Sequence, residues 1–106
     1  MDMFYALAEP RRRKIIELLA TNGQLSATQI CERFDVTAQA ISQHLKVLLD
    51  TGLVLVERRA QKRIYQINTA SVLEVEEWAK HTLAEWNGRL DRMDEVLRKE
   101  KKRHAK

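Results

Sequence analysis

The sequence predicts a mainly α-helical fold with a small β-hairpin, and three observations carry that prediction. Two capped helical stretches, 26–34 and 37–51, are parted only by the short turn Asp35-Val36. Two strand-like runs, Leu53 to Arg58 and Arg63 to Ile67, follow with Arg59-Ala60-Gln61-Lys62 between them. From about Thr69 or Ser71 to Arg98 the pattern is helical, with no proline and only Gly88 as a weak point.

Each element has its own local cause. Asp2 suits the cap of a short first helix reaching Leu7 or Ala8. Pro10 suits the first position of a second helix, Arg11 to about Ala20, because its missing N–H is one that a helix start leaves unused. Ile15, Ile16, Leu18 and Leu19 give that helix an apolar face, and Asn22-Gly23 stops it. Ser26 followed by Gln29 is a capping box for the third helix, with Ile30, Cys31 and Phe34 turned inward. Thr37 caps the fourth helix, and Gly52 ends it. Two short helices joined by a tight turn and followed by a hairpin form a winged helix-turn-helix, with the wing at about 53–67.

The last helix, about 71–98, carries a seam at Ala79, Leu83, Trp86, Leu90, Met93 and Leu97, stepping by 4, 3, 4, 3 and 4. A helix of that length spans on the order of 40 Å. A second copy is its natural cover, so it is read as a dimerisation helix, with Phe4 and Leu7 of the first helix assigned to the same interface. Residues 1–98 are thus read as one domain and 99–106 as a basic, frayed tail.

Composition narrows the function. The chain has 106 residues, 44% hydrophobic and 32% charged, which fits one soluble domain with a modest core. A single cysteine, Cys31, rules out an internal disulfide framework, and it reads as a small buried apolar group. No apolar run has membrane-spanning length, and the N-terminus lacks the basic and apolar regions of a signal peptide. A cytoplasmic protein without membrane partners is expected. With three histidines and no nucleophile, phosphate-loop or metal-ligand motif, neither an enzyme nor a cofactor is expected.

Charge is unevenly placed. Residues 1–70 carry ten basic and seven acidic side chains, residues 71–97 three and seven, and residues 98–106 six and one. Phosphates would repel the acidic 71–97 stretch, so any nucleic-acid face belongs to the first seventy residues.

The fourth helix supplies that face. Ile41, Leu45 and Leu48 fall on one stripe, suited to a core. Gln39, Ser42, Gln43 and Lys46 fall on another, a row of hydrogen-bonding side chains suited to the major groove of double-stranded DNA. A solvated helix face has the same composition; the neighbouring wing and capped helix favour DNA. Thr37 doubles as cap and phosphate donor. His44 lies between the two faces, open to phosphate contact or to packing. Arg58, Arg59, Lys62 and Arg63 give the wing a cationic tip for phosphate or minor-groove contact, or for the solubility of an edge hairpin. Arg11 to Lys14 stand at a helix N-terminus, where phosphate contact and local ion pairing are both open. Trp78 and Trp86 share one flank of the last helix, for packing or for an effector pocket.

Three blocks in this order resemble the ArsR/SmtB-type winged-helix repressors over roughly residues 5–97. They are Leu7 to Leu19 (with Pro10, Arg12 and Ile15), Ile41-Ser42-Gln43-His44-Leu45-Lys46-Val47-Leu48, and Gly52-Leu53-Val54 with Arg58-Arg59 and Tyr65. The resemblance implies a homodimeric repressor of operator DNA, often released by a small-molecule effector. It also marks departures. Ser26 and Thr28 stand where metal-sensing members carry a Cys-x-Cys pair, and between 71 and 98 His81 is the only histidine. Ala38 stands where many members have Gln. The chain therefore looks like the family's non-metal branch. A protein-interaction module that uses the long heptad helix is the competing reading.

Overall fold

Asp2 accepts the Tyr5 N–H and so starts the first helix, α1 (Met3–Leu7), in the computed structural model, which describes residues 2–104 and the side chains of residues 2–101. Seven further elements follow: α2 (Pro10–Asn22), β1 (Gln24–Ser26), α3 (Ala27–Cys31), α4 (Ala38–Asp50), β2 (Val54–Arg59), β3 (Lys62–Ile67) and α5 (Thr69–His104). The chain forms two compact units, Met1–Leu73 and Glu74–Lys106.

In the first unit, helix starts follow from side-chain caps. Glu9 caps α2 by accepting the Arg12 N–H, and Pro10 sits just inside the helix. The capping box of α3 is reciprocal. Ser26 Oγ accepts the Gln29 N–H at 3.1 Å, and Gln29 Oε1 accepts the Ser26 N–H at 2.8 Å. Thr37 Oγ1 accepts the Ala40 N–H at 3.1 Å and begins α4. Helix α3 is shorter than its sequence pattern suggests. It ends at Cys31, so Phe34 belongs to the turn that follows and is half-buried there with Cys31.

The core is built from one stripe per element. Ala6 of α1, Ile15 and Leu19 of α2, Ile30 of α3, and Ile41, Leu45 and Leu48 of α4 are all buried. Leu25, Leu53, Val54 and Tyr65 close the cluster from the sheet side. Each fully buried Leu or Ile contributes about 1.5–3 kcal/mol relative to leaving it exposed. This cluster therefore fixes how the helices pack.

The hairpin is part of a larger sheet. β3 pairs antiparallel with β2 and also with β1, giving the order β1-β3-β2. The third strand is absent from the sequence reading because three residues carry no alternation, and Ser26 reads there only as a cap. Arg59 pairs with Lys62, so the turn is the two residues Ala60-Gln61. Ala60 takes a φ of 56°, a left-handed conformation that costs a non-glycine residue about 1 kcal/mol.

The end of α4 is tied to the start of α5. Gly52 has a φ of 79°, which turns the chain toward β2. Its carbonyl accepts both Asn68 Nδ2 at 2.8 Å and Ser71 Oγ at 2.6 Å. Helix α5 itself runs to His104, past the expected end near 98. The Arg, Lys and Glu residues that follow 98 are good helix formers with no breaker among them. Residues 99–104 of the expected tail are therefore helical, and 105–106 lie outside the described residues.

The capping box gives a direct test. Ser26→Ala removes a buried acceptor and should lower unfolding free energy by about 1–2 kcal/mol in urea melts. Thr28→Ala, at an exposed position of the same helix, should stay within about 0.5 kcal/mol of the parent.

Candidate nucleic-acid interface

Helix α4 presents two chemically distinct faces because its apolar stripe is fully committed to the core. With Ile41, Leu45 and Leu48 buried, Gln39, Ser42, Gln43 and Lys46 are all exposed. Among the described residues none of these four side chains is hydrogen-bonded or ion-paired within the protein. Their donors and acceptors are therefore available to base edges. Thr37 is exposed at the N-terminus of the same helix, with its hydroxyl already occupied as the cap.

The wing gathers Arg58, Arg59, Lys62 and Arg63, all exposed. Strand register sets Arg58 directly across from Arg63 and Arg59 across from Lys62. Like charges facing each other across strands are destabilising, and a bound anion relieves the repulsion. Glu57 offsets part of it through an exposed pair with Arg59 at 3.2 Å. Arg58, Lys62 and Arg63 have no ion-pair partner among the described residues.

His44 is placed differently from its neighbours on α4. Its Nδ1 lies 3.4 Å from Arg12 Nη1, and its Nε2 lies 3.9 Å from Glu9 Oε2. Guanidinium can only donate, so this geometry requires Nδ1 to accept and the neutral ring's proton to sit on Nε2, toward Glu9. The ring thus faces the α1–α2 junction, and its side chain is 17% exposed.

Arg12 is the residue that sequence reasoning missed. It is buried, with Nε donating to the Ala6 carbonyl at 2.7 Å and Nη2 to the Tyr5 carbonyl at 3.1 Å. Its guanidinium also lies over the Tyr5 ring, 5.2 Å from the centroid. Arg13 donates to the Leu7 carbonyl at 2.6 Å. These two cations close the C-terminal carbonyls of α1, so within the run Arg11 to Lys14 local bonding accounts for Arg12 and Arg13. The available sequence signal was α1 itself, a one-turn helix whose end has no glycine cap.

Glu9 completes the cluster. Burial pushes its carboxyl upward, but this is outweighed. The Arg12 and Arg11 backbone N–H groups, then the neighbouring His44 and Arg12 side chains, hold it below the usual glutamate range.

The residues assigned to dimerisation fall in both units. In the first, Phe4 is exposed and Leu7 half-buried. In the second, Ala79 is exposed, and Leu83, Trp86, Leu90, Met93 and Leu97 are each 40–59% exposed. Among the described residues, no group of three or more His, Cys, Asp or Glu side chains is placed to hold a metal ion. Among the described residues, no helix is long and apolar enough to cross a membrane.

Comparison with known proteins agrees with this geometry. A family model described as a helix-turn-helix domain matches residues 7–57. The chain is 32% identical over 77 residues to the transcriptional repressor SdpR of Bacillus subtilis, covering 73% of this chain and 84% of that one. It is 35% identical over 69 residues to the arsenical resistance operon repressor of the same organism, covering 65% and 66%. An ArsR-like transcriptional regulator from Rhodococcus sp. RHA1 superposes with a TM-score of 0.77 at 28% identity, over 88% of this chain and 87% of that one. Fold and relatives together define a winged helix-turn-helix, DNA-binding transcriptional regulator. The chain belongs to the ArsR/SmtB-type family of such regulators.

The Glu9 cluster predicts a pH dependence. A carboxylate whose folded pKa is depressed stabilises the fold above its unfolded pKa, and this is lost as pH falls through the folded value. Glu9→Gln should therefore be less stable than the parent at neutral pH. The gap should narrow as pH drops through and below the ordinary carboxylate range, read from thermal melts at stepped pH. A gap that stays constant down to the acid limit would refute the assignment.

Proposed function

We propose that the protein is a homodimeric repressor that reads a pseudo-palindromic operator in double-stranded DNA. One observation carries the reading. The outer face of α4 holds four unengaged polar side chains directly opposite a stripe that the core fixes in place. A rigid helix with a free hydrogen-bonding row is what major-groove readout needs, and two such helices on a two-fold axis read half-sites about one turn apart.

Within this reading the roles divide by chemistry. Gln39 and Gln43 offer paired donor and acceptor to adenine, and Lys46 offers a cation to guanine or phosphate. Ser42 serves either, and Thr37 lies where a phosphate meets the N–H groups of a helix start. Arg58, Arg59, Lys62 and Arg63 hold the backbone or minor groove, with Arg59 shared with Glu57. His44 acts as a positioning residue, holding α4 against Arg12 and Glu9. The seam Ala79, Leu83, Trp86, Leu90, Met93 and Leu97, with Phe4 and Leu7, forms the two-fold interface.

We also place the protein in the family's non-metal branch. Ser26, at one of the positions where metal-sensing members carry thiolates, is buried and occupied as the α3 cap. A hydroxyl tied in this way is a poor ligand for a soft metal. Any effector is then a small molecule.

Gel shifts over a salt series test the division of roles. Gln43→Ala should cost about 1–3 kcal/mol on a selected operator and little on random duplex. Arg63→Ala should weaken both alike and reduce the salt slope by about one. Equal losses on operator and random DNA for Gln43→Ala would remove it from base reading.

Sedimentation equilibrium tests the interface. The parent should be a dimer, and Leu90→Asp, which buries a carboxylate in the seam, should shift it to monomer at micromolar concentration. A parent that is monomeric would overturn the two-fold reading.

A further inference from the structure

A groove of about 550 Å³ lies on the first unit, between one side of α2 and residues 33–35 of the turn that leads into α4. None of the DNA-reading residues lines it. Its volume falls within the range of small-molecule sites, which run from about 300 to 1,000 Å³. Leu18 and Phe34, both half-buried against the core, give it an apolar floor.

Its walls carry three cations. Arg11 and Lys14 lie one turn apart on the N-terminal half of α2, and Arg33 stands on the opposite wall. Among the described residues these three side chains have no hydrogen bond or ion pair, unlike Arg12 and Arg13 beside them. Two carboxylates, Glu17 and Asp35, also line the groove, leaving a surplus of one positive charge. Glu17 lies toward the other end of α2. Along α2, Arg11 and Lys14 come before Glu17 and Leu18, so the α2 wall is cationic toward the start of that helix.

We propose that this groove binds a small amphipathic monoanion, an organic carboxylate with an aromatic or aliphatic body. The carboxylate engages Arg11, Lys14 and Arg33, while the body covers Leu18 and Phe34. Such a ligand replaces mutual repulsion between cations with charge-assisted hydrogen bonds and removes apolar surface from water. The site is also placed to be felt by DNA. Residues 33–35 come immediately before Val36 and Thr37, the cap of α4. A ligand gripping that turn biases the setting of the reading helix, and by linkage DNA biases ligand affinity by the same factor. This second step rests on the regulator reading above.

The test uses the intact protein with benzoate and octanoate as probes, and benzyl alcohol and octanol as neutral counterparts, at constant ionic strength. Amide NMR should show saturable shifts confined to residues 10–22 and 33–37, with a dissociation constant below about 1 mM for at least one carboxylate. Lys14→Glu should weaken that binding at least tenfold. Binding of the alcohols as tight as that of the carboxylates would overturn the anion assignment. So would shifts that do not saturate or that fall on α5 instead. DNA affinity is then measured first without carboxylate. Absence of DNA binding there is a failure of the regulator reading alone. With DNA binding present, saturating carboxylate should change it at least threefold in the parent and less than half as much in Lys14→Glu. An unchanged affinity would overturn the coupling.

Discussion

The Arg12 guanidinium is the constraint on which the rest of the first unit depends. It is a buried cation, and burying one without partners costs several kcal/mol. Here the carbonyls of Tyr5 and Ala6, the Tyr5 ring and the His44 nitrogen surround it. Tyr5 and Ala6 belong to α1 and His44 to α4, so the side chain ties α2 to both helices at once. The tie to α4 matters most for function. His44 is on α4, the helix proposed to read DNA, one residue from Gln43, and its ring packs toward Arg12 and Glu9 while Gln43 faces out. A reading helix is useful only if its side chains arrive at base edges in a fixed register, and the cluster at the α1–α2 junction contributes that rigidity.

Charge on this protein is divided between internal and external use. Four consecutive basic residues open α2, yet Arg12 and Arg13 close the end of α1, while Arg11 and Lys14 line an open groove. On the wing, register sets cation opposite cation, with Glu57 softening only the Arg59 side. Cations set opposite each other weaken the hairpin, a cost that the proposed phosphate contacts would offset. The seam of α5 shows the same logic with apolar groups. Side chains such as Leu83 and Trp86 are left more than half exposed at heptad spacing, the pattern on which the proposed two-fold interface rests.

Much of this was legible in the sequence because the signals were local. Pro10, the Ser26–Gln29 pair, Thr37 and Gly52 each mark a helix boundary through one or two bonds, and each occurs where expected. The two faces of α4 follow from spacing alone. What escaped was non-local. β1 exists because β3 had a free edge to pair with, a fact about residues forty positions away. Arg12 stands three and seven residues before Ile15 and Leu19, on their face of α2, but a cation on an apolar stripe does not by itself show which carbonyls will receive it. His44, poised between two faces, was resolved only by Arg12 and Glu9 approaching it from elsewhere in the fold. Phe34 was assigned to a helix face, but α3 ends three residues before it.

The Gly52 carbonyl has a consequence of its own. It accepts from both Asn68 and Ser71, so both of its lone pairs are occupied by residues that begin α5. Neither the last turn of α4 nor the first turn of α5 can fray without breaking those bonds. Opening the turn at Gly52 therefore also costs the start of α5 two anchoring bonds, which links the two segments energetically. The chain leaving α4 and the first turn of α5 are thereby held to each other within the first unit.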